Sequence, residues 1–282
     1  MHEIVPTRDE LERLLAEDVP HLDLTTHALG IADRPARIDF TARADLVVAG
    51  LRIATGLIDL AGGTAHALTR DGTAVARGTA LLTATGPAGA LHAAWKQAQT
   101  TLEILSGVAS AARALRLAAS ASGREVTVAC TRKTLGGSRR FLVGAILAGG
   151  CVPHRLGLSE TILVFEEHRR FLAGVGLAEQ ARRLRAAAPE KKLVIEVGDV
   201  DEAIAAAEAG FDVIQMEKFA PEAIRRAAEA IRPRHPRVVL AAAGGIDPEN
   251  AAAHVAAGAD MLVSSWPYTA RPRDVQVTLG PA

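Results

Sequence analysis

The chain has 282 residues, 49% hydrophobic and only 3% aromatic, so one large or two modest domains must build a core from Ala, Leu, Val and Ile. Lys plus Arg equals Asp plus Glu at 32 each, and this balance argues against nucleic acid or an acidic membrane as the main partner. No basic-then-apolar leader opens the chain and no run approaches the roughly 20 apolar residues of a membrane span, so a soluble cytoplasmic protein is expected.

Residues 7–17 read as a helix. Thr7 can cap it, Glu10 stands at capping-box spacing, and Leu11, Leu14 and Leu15 form its apolar face. Residues 17–26 read as a polar, acidic turn. His21, Asp23 and His27 show no tight recurring ligand spacing, so solvated loop groups are expected there rather than a metal site. Residues 36–42 alternate like a strand, 50–60 look helical, and 64–69 and 80–85 read as strands on either side of the Asp71-Gly72 turn. Pro87 suits a first helical position, and Leu91, Ala94, Trp95, Ala98, Leu102 and Leu105 follow at helical spacing. Ser106-Gly107 is expected to interrupt this helix before it resumes over 108–119. Helices and strands grouped in runs suggest an α+β first domain. Within the long helix, Lys96 reads as a surface lysine whose stem covers apolar area.

After Ser122-Gly123 the texture changes. Short apolar runs at 126–130, 161–165, 193–197, 212–216, 238–242 and 261–264 alternate with Ala-rich helical stretches at 140–148, 178–188, 200–209, 221–231 and 248–257. A further short strand can be drawn near 155–158. Cys130 and Cys151 lie in apolar surroundings and read as reduced core thiols. Six or seven such units imply a parallel sheet closed, or nearly closed, into an α/β barrel, with a doubly wound open sheet as the rival.

A barrel carries its active site at the carboxyl ends of its strands. Thr131, Arg132 and Lys133 follow the first run, and His154-Arg155 follow the Gly149-Gly150 turn. Two basic pairs emerging from apolar segments point to a pocket for an anion with several carboxylates or phosphates; surface charge at loop ends is the alternative. Glu196 closes one strand, and Glu217-Lys218 follow the next. Ala243-Gly244-Gly245 and Val263-Ser264-Ser265 end the last two. Without Cβ atoms a Gly-Gly turn lets backbone N–H groups approach an anion, and a helix starting near Asp247-Pro248 would aim its dipole the same way. Glu196 and Glu217 can hold Mg²⁺ or balance positive charge developing on a sugar ring. These parts suit transfer of a phosphorylated sugar onto an anionic nucleophile. A Schiff-base barrel lyase or aldolase using Lys133 or Lys218, and a non-catalytic anion binder, are the rival readings.

Thr131-Arg132-Lys133-Thr134, Gly149-Gly150 with His154-Arg155, Ala243-Gly244-Gly245-Ile246, Asp23-Leu24-Thr25-Thr26 and Ser106-Gly107-Val108-Ala109 together resemble the quinolinate phosphoribosyltransferase family. The resemblance spans almost the whole chain. Residues 154–161 and Ser265-Trp266-Pro267-Tyr268 resemble its ModD branch, associated with molybdate-transport operons. It implies an N-terminal α/β sandwich (1–108), a partly open six- or seven-stranded α/β barrel (109–266) and a C-terminal segment (267–282) returning to the first domain. It implies a homodimer or higher even oligomer, with 5-phosphoribosyl 1-diphosphate (PRPP), Mg²⁺ and a small anionic acceptor as partners. Lys133, Glu196 and Glu217 would then be catalytic, with the two carboxylates also at the Mg²⁺. Thr131, Arg132, His154, Arg155, Phe165 and Lys96 would bind the acceptor. Ala243, Gly244, Gly245, Val263, Ser264 and Ser265 would hold the 5-phosphate. The chain departs from the family pattern where Lys96 replaces an arginine, Phe165 a lysine, Glu217 an aspartate, Lys218 an asparagine and Ala243 a serine. Losing one cation and weakening another implies an acceptor other than quinolinate.

Overall fold

Thr7 opens the first helix as its sequence dictates. In α1 (Arg8–Asp18) the Glu10 N–H donates to Thr7 Oγ1 at 3.3 Å, and the Thr7 N–H donates to Glu10 Oε2 at 2.7 Å. The acidic stretch expected as a turn starts a second helix, α2 (Leu24–Ala28), because the Asp23 carboxylate accepts the Thr26 N–H at 3.1 Å. There follow β1 (Pro35–Ala42), β2 (Leu46–Val47), α3 (Leu51–Leu60), β3 (Thr64–Ala67), β4 (Ala74–Val75), β5 (Ala80–Pro87) and the 33-residue α4 (Ala88–Ser120). The computed structural model describes residues 4–282.

The expected break at Ser106-Gly107 does not occur, and α4 is continuous. Ser106 Oγ accepts the Ala49 N–H at 3.1 Å, so its hydroxyl serves a neighbouring segment instead of competing for the helix. A Cβ on Gly107 would stand 2.5 Å from the Arg271 carbonyl oxygen. The glycine is there for close approach, not to end the helix.

The chain continues through β6 (Thr127–Cys130), α5 (Arg139–Ala148), β7 (Val152–Pro153), β8 (Ile162–Val164), α6 (Glu166–Arg169), α7 (Leu177–Ala187), β9 (Leu193–Val197), α8 (Val200–Glu208), β10 (Val213–Glu217), α9 (Pro221–Ile231), β11 (Val239–Ala243), α10 (Ala251–Ala256), β12 (Met261–Ser264), a 3₁₀ turn (Trp266–Thr269) and β13 (Val275–Pro281). The short strand expected near 155–158 lies earlier, as β7. Cys130 and Cys151 are both buried thiols and form no disulfide.

These elements form two compact units that the chain visits alternately. The first takes the chain up to Arg113, then Leu135–Gly150 and Tyr268–Ala282; the second takes Ala114–Thr134 and Cys151–Pro267. The boundary expected at 108/109 therefore falls inside α4, and α5, expected in the barrel, belongs to the first unit. A Cβ on Gly149, which caps α5, would meet the Ala109 carbonyl oxygen at 2.4 Å, so the end of α5 lies directly on the α4 backbone. The first unit holds an antiparallel four-stranded sheet in the order β13-β1-β5-β3, with β13 running along β1 from Ala36↔Pro281 to Ala42↔Val275.

The second unit is an open seven-stranded parallel sheet in the order β7-β6-β12-β11-β10-β9-β8. Its strands are nearly all apolar, as strands covered on both faces must be. Alternate residues face the inside of its curve, where Leu163, Val194, Val213, Ala241, Ala243 and Val263 form a core with Phe165 packed against it. The outward set, including Ile195, Ile214, Leu240 and Leu262, is fully buried.

Candidate active site

The charged groups of this interior lie towards the carboxyl ends of β9 and β10. On β10 the inward residues are Val213, Gln215 and Glu217; on β9 they are Val194 and Glu196. Glu196 and Gln215 are register partners, and Gln215 Nε2 donates to Glu196 Oε2 at 2.6 Å. Burial raises the Glu196 carboxyl above the usual glutamate range, and the Glu217 and Glu167 charges add to this. The Gln215 hydrogen bond and the Lys133 ammonium oppose it. Lys133 is thus close enough to Glu196 to be felt by it. A cavity of about 530 Å³ opens here, lined by Glu166, Arg169, Glu196, Glu202 and Glu217 among others. Arg169 is ion-paired with Glu202 across it.

The cations come from the tips of β6 and β7. The Thr131 N–H donates to the Ser264 carbonyl at 2.9 Å and the Thr134 N–H to the Arg132 carbonyl at 2.8 Å, a tight turn that carries Arg132 and Lys133 off the strand end. The His154 N–H donates to the Cys130 carbonyl at 2.8 Å and fixes the neighbouring tip. Burial, and then Arg132, depress the Arg155 guanidinium, so two like charges share one region. Arg155 Cζ lies 5.6 Å from the Phe165 ring centroid. Phe165 in turn stacks on His168, with centroids 5.8 Å apart and planes 16° from parallel. Burial, and then Arg155, lower the His154 pKa. Expected as part of a basic pair, His154 holds its proton less tightly than an exposed histidine, which favours hydrogen bonding over charge there.

Gly244 and Gly245 follow β11 with φ of 82° and 76°, a conformation that favours glycine. A Cβ on Gly244 would lie 2.7 Å from Glu217 Oε1 and 2.6 Å from Lys218 Cγ, so both side chains rest on the bare backbone. Asn250 Nδ2 donates to the Gly245 carbonyl at 2.8 Å, which steadies the loop. Ser264 Oγ donates to the Ile246 carbonyl at 2.6 Å and accepts the Trp266 N–H at 3.0 Å. Its hydroxyl therefore braces the glycine loop rather than pointing at a ligand. Ala243 and Val263 turn their side chains into the core and leave backbone at the rim. Ser265 is half-buried beside them. The helix expected from Asp247-Pro248 begins only at Ala251 and has six residues, because Asp247 Oδ1 accepts the Glu249 and Asn250 N–H groups in a turn that precedes it.

Arg132, Lys133, Arg155, Phe165, Glu196, Glu217 and Gly244 thus gather at the carboxyl ends of one sheet. Lys96 lies in the first unit, where its ammonium donates to Gln99 Oε1 at 2.9 Å and stands 4.6 Å over the Trp95 ring. Sequence reasoning missed Gln215 and His168. The two-residue alternation Val213, Gln215, Glu217 carried the signal for the first, since it turns Gln215 inward with Glu217. Among the described residues no three His, Cys, Asp or Glu side chains are grouped closely enough to hold a metal ion by themselves.

A family model described as the quinolinate phosphoribosyl transferase C-terminal domain matches residues 108–278, and one for the N-terminal domain matches residues 23–106. The provisionally named pyrophosphorylase ModD of Rhodobacter capsulatus is 46% identical over 242 residues, covering 86% of this chain and 93% of that one. The nicotinate-nucleotide pyrophosphorylase (carboxylating) of Mycobacterium leprae is 32% identical over 279 residues, covering 96% of each chain. The crystal structure of NadC from Streptococcus pyogenes superposes with a TM-score of 0.88 at 27% identity, covering 97% of this chain and 96% of that one.

Proposed function

Because the chain belongs to the quinolinate phosphoribosyl transferase family, and to its ModD branch, we propose that it transfers the phosphoribosyl group of PRPP to an anionic aromatic or heteroaromatic acceptor and releases pyrophosphate. The observation that carries this reading is the division of the barrel rim. Two guanidinium groups beside a stacked aromatic pair lie on one side; on the other lie two carboxylates, Glu196 held by Gln215 and Glu217 resting on the bare backbone of Gly244.

Arg132 and Arg155 grip the acceptor carboxylate, where each charge-assisted hydrogen bond contributes about 1.5–3 kcal/mol. Phe165 and His168 offer a flat platform beside them, which suits a ring better than a second carboxylate. His154, its pKa lowered by burial and Arg155, offers a hydrogen bond to the acceptor. As the acceptor's ring nitrogen bonds to the anomeric carbon, the bond to the diphosphate oxygen breaks and positive charge develops on the ribose. Glu196 and Glu217 face that charge from a site already short of water, where fixed charges act strongly. Lys133, beside Glu196, lies towards the departing anion.

Two carboxylates alone make no metal cage, but they fit a Mg²⁺ that arrives on a diphosphate and keeps several waters. Their mutual repulsion, felt at Glu196, is what such a cation would relieve. Glu196 and Glu217 would hold it, and when bound it would supply neutralisation of the leaving diphosphate. A homodimer in which Lys96 serves the acceptor pocket of a second copy completes the proposal. A Schiff-base role is less suited to Lys133 and Lys218, both of which are exposed, since lysine nucleophiles are activated by desolvation or a cationic neighbour.

The test is incubation with PRPP, Mg²⁺ and a panel of pyridine and related aromatic carboxylates, reading pyrophosphate release. Release with at least one acceptor is expected. Silence across the panel, with no PRPP bound in calorimetry, would refute the assignment.

A further inference from the structure

The residues assigned to the sugar phosphate by family pattern are Ala243, Gly244, Gly245, Val263, Ser264 and Ser265, and none carries a charge. The Ser264 hydroxyl is moreover committed to the Ile246 carbonyl and the Trp266 N–H. Dianionic phosphomonoesters are ordinarily met by at least one charge-assisted hydrogen bond, so this cradle lacks its strongest element.

Directly beside it stands an anomaly. Among the described residues Lys218 is the one non-glycine residue with positive φ, at 58°. Lysine gains nothing locally from that conformation, whereas Asn, Asp or Gly would adopt it with less strain. Its N–H donates to the Ala243 carbonyl at 2.7 Å, which locks the tip of β10 to the tip of β11. That lock carries the side-chain stem across Gly244, where Cγ fills the space a Cβ would need. Lys218 is exposed and takes part in no ion pair among the described residues, with Glu217 or otherwise. Strain of this kind persists where the surroundings enforce it, and it clusters at ligand clamps.

We infer that Lys218 is the charged ligand of the sugar 5-phosphate, its ammonium reaching over Gly244 to meet a phosphomonoester seated on the Gly244-Gly245 backbone. The inference rests on the phosphoribosyl reading and deepens it. The residue is a specificity determinant for phosphorylated ribose, and it makes good the charge that the glycine loop and its serine do not provide.

The experiment is calorimetry of the full chain with ribose 5-phosphate and, separately, with PRPP, for the native protein, Lys218→Asn and Lys218→Arg. Lys218→Asn suits the backbone conformation better, so its Tm should hold or rise and misfolding will not mimic the effect. Both ligands are expected to bind it about tenfold to a hundredfold more weakly, with Lys218→Arg recovering most of the loss. Equal affinity of native and Lys218→Asn protein for ribose 5-phosphate would overturn the inference and leave the phosphoribosyl reading intact. Loss confined to PRPP would also overturn it, because the ammonium would then serve the diphosphate. A native protein that binds neither ligand would bring down both.

Discussion

Replacing Glu196 by Gln should make the protein more stable and nearly inactive. The substitution keeps the side-chain volume and a polar partner for Gln215, which now donates to Glu196 Oε2 at 2.6 Å. It removes a charge that burial and Glu217 both oppose. The two carboxylates are anchored one strand apart and two residues along. Taking about 4.8 Å between strands and about 6.6 Å along them gives a separation of about 8 Å. At an effective dielectric constant of 20, like charges at that distance repel by about 2 kcal/mol. Lys133 and the Gln215 bond offset most of this, leaving about 0.5–1 kcal/mol to be gained, or about 1–4 °C in Tm. Turnover should fall by about 10²–10³-fold if the carboxylate faces the developing charge. The pH dependence carries the sign. A carboxyl whose folded pKa is raised binds its proton more readily in the folded state. Its contribution to stability is therefore complete below the ordinary glutamate pKa and is lost as pH rises through the raised value. The native protein should fall behind Glu196→Gln over that window, and its activity should show an acid limb above the usual glutamate range. Thermal denaturation across pH, paired with pyrophosphate release, measures both. A lower Tm with unaltered turnover would show Glu196 to be a structural anchor, and the reasoning would fail.

Removing the guanidinium with Arg155→Ala should raise the acceptor KM about 10–100-fold with a smaller change in kcat. The same variant should let the His154 pKa climb, because a like charge has gone, and NMR titration of the ring would read it. In Gly244→Ala the new Cβ meets Glu217 Oε1 at 2.7 Å and the backbone sits at φ 82°, so a cost of about 1–2 kcal/mol and a loss of turnover of tenfold or more are expected. Gly107→Ala should leave kcat alone but destabilise by about 1–3 kcal/mol, seen as a Tm several degrees lower, because the Arg271 carbonyl must move.

Much of this architecture is legible in the sequence because local rules and tertiary packing agree. Thr7 and Glu10 cap α1 as their spacing demands. The apolar runs of the second half become β6 and β8 to β12, and charges placed just past them arrive at one rim. The failures occur where a residue answers to a distant segment. Ser106-Gly107 looks like a helix stop, but both residues receive chain from elsewhere, at Ala49 and Arg271. Ser264 looks like a phosphate ligand because hydroxyls near glycine loops often are, yet its bond to Ile246 can be seen only in three dimensions. The lowered pKa of His154 is hidden for the same reason, since burial is not written in the residue itself. The sequence marks Lys218 as a charge at a strand end and a candidate nucleophile, but not as a strained residue; its φ follows from the bond that pins it to Ala243.

One consequence of the chain's route concerns its birth. The sheet of the first unit cannot be completed as the amino-terminal residues leave the ribosome, because β13, which pairs with β1 over seven residue pairs, is made after every strand of the second unit. Until then β1 keeps an open edge of unpaired amides, a template for pairing with another nascent chain. Vectorial synthesis therefore exposes the protein to aggregation for the time needed to translate the whole barrel. Placing β13 ahead of β1 through a short turn, in a circularly permuted gene, should shorten that window and raise soluble yield in rapid expression.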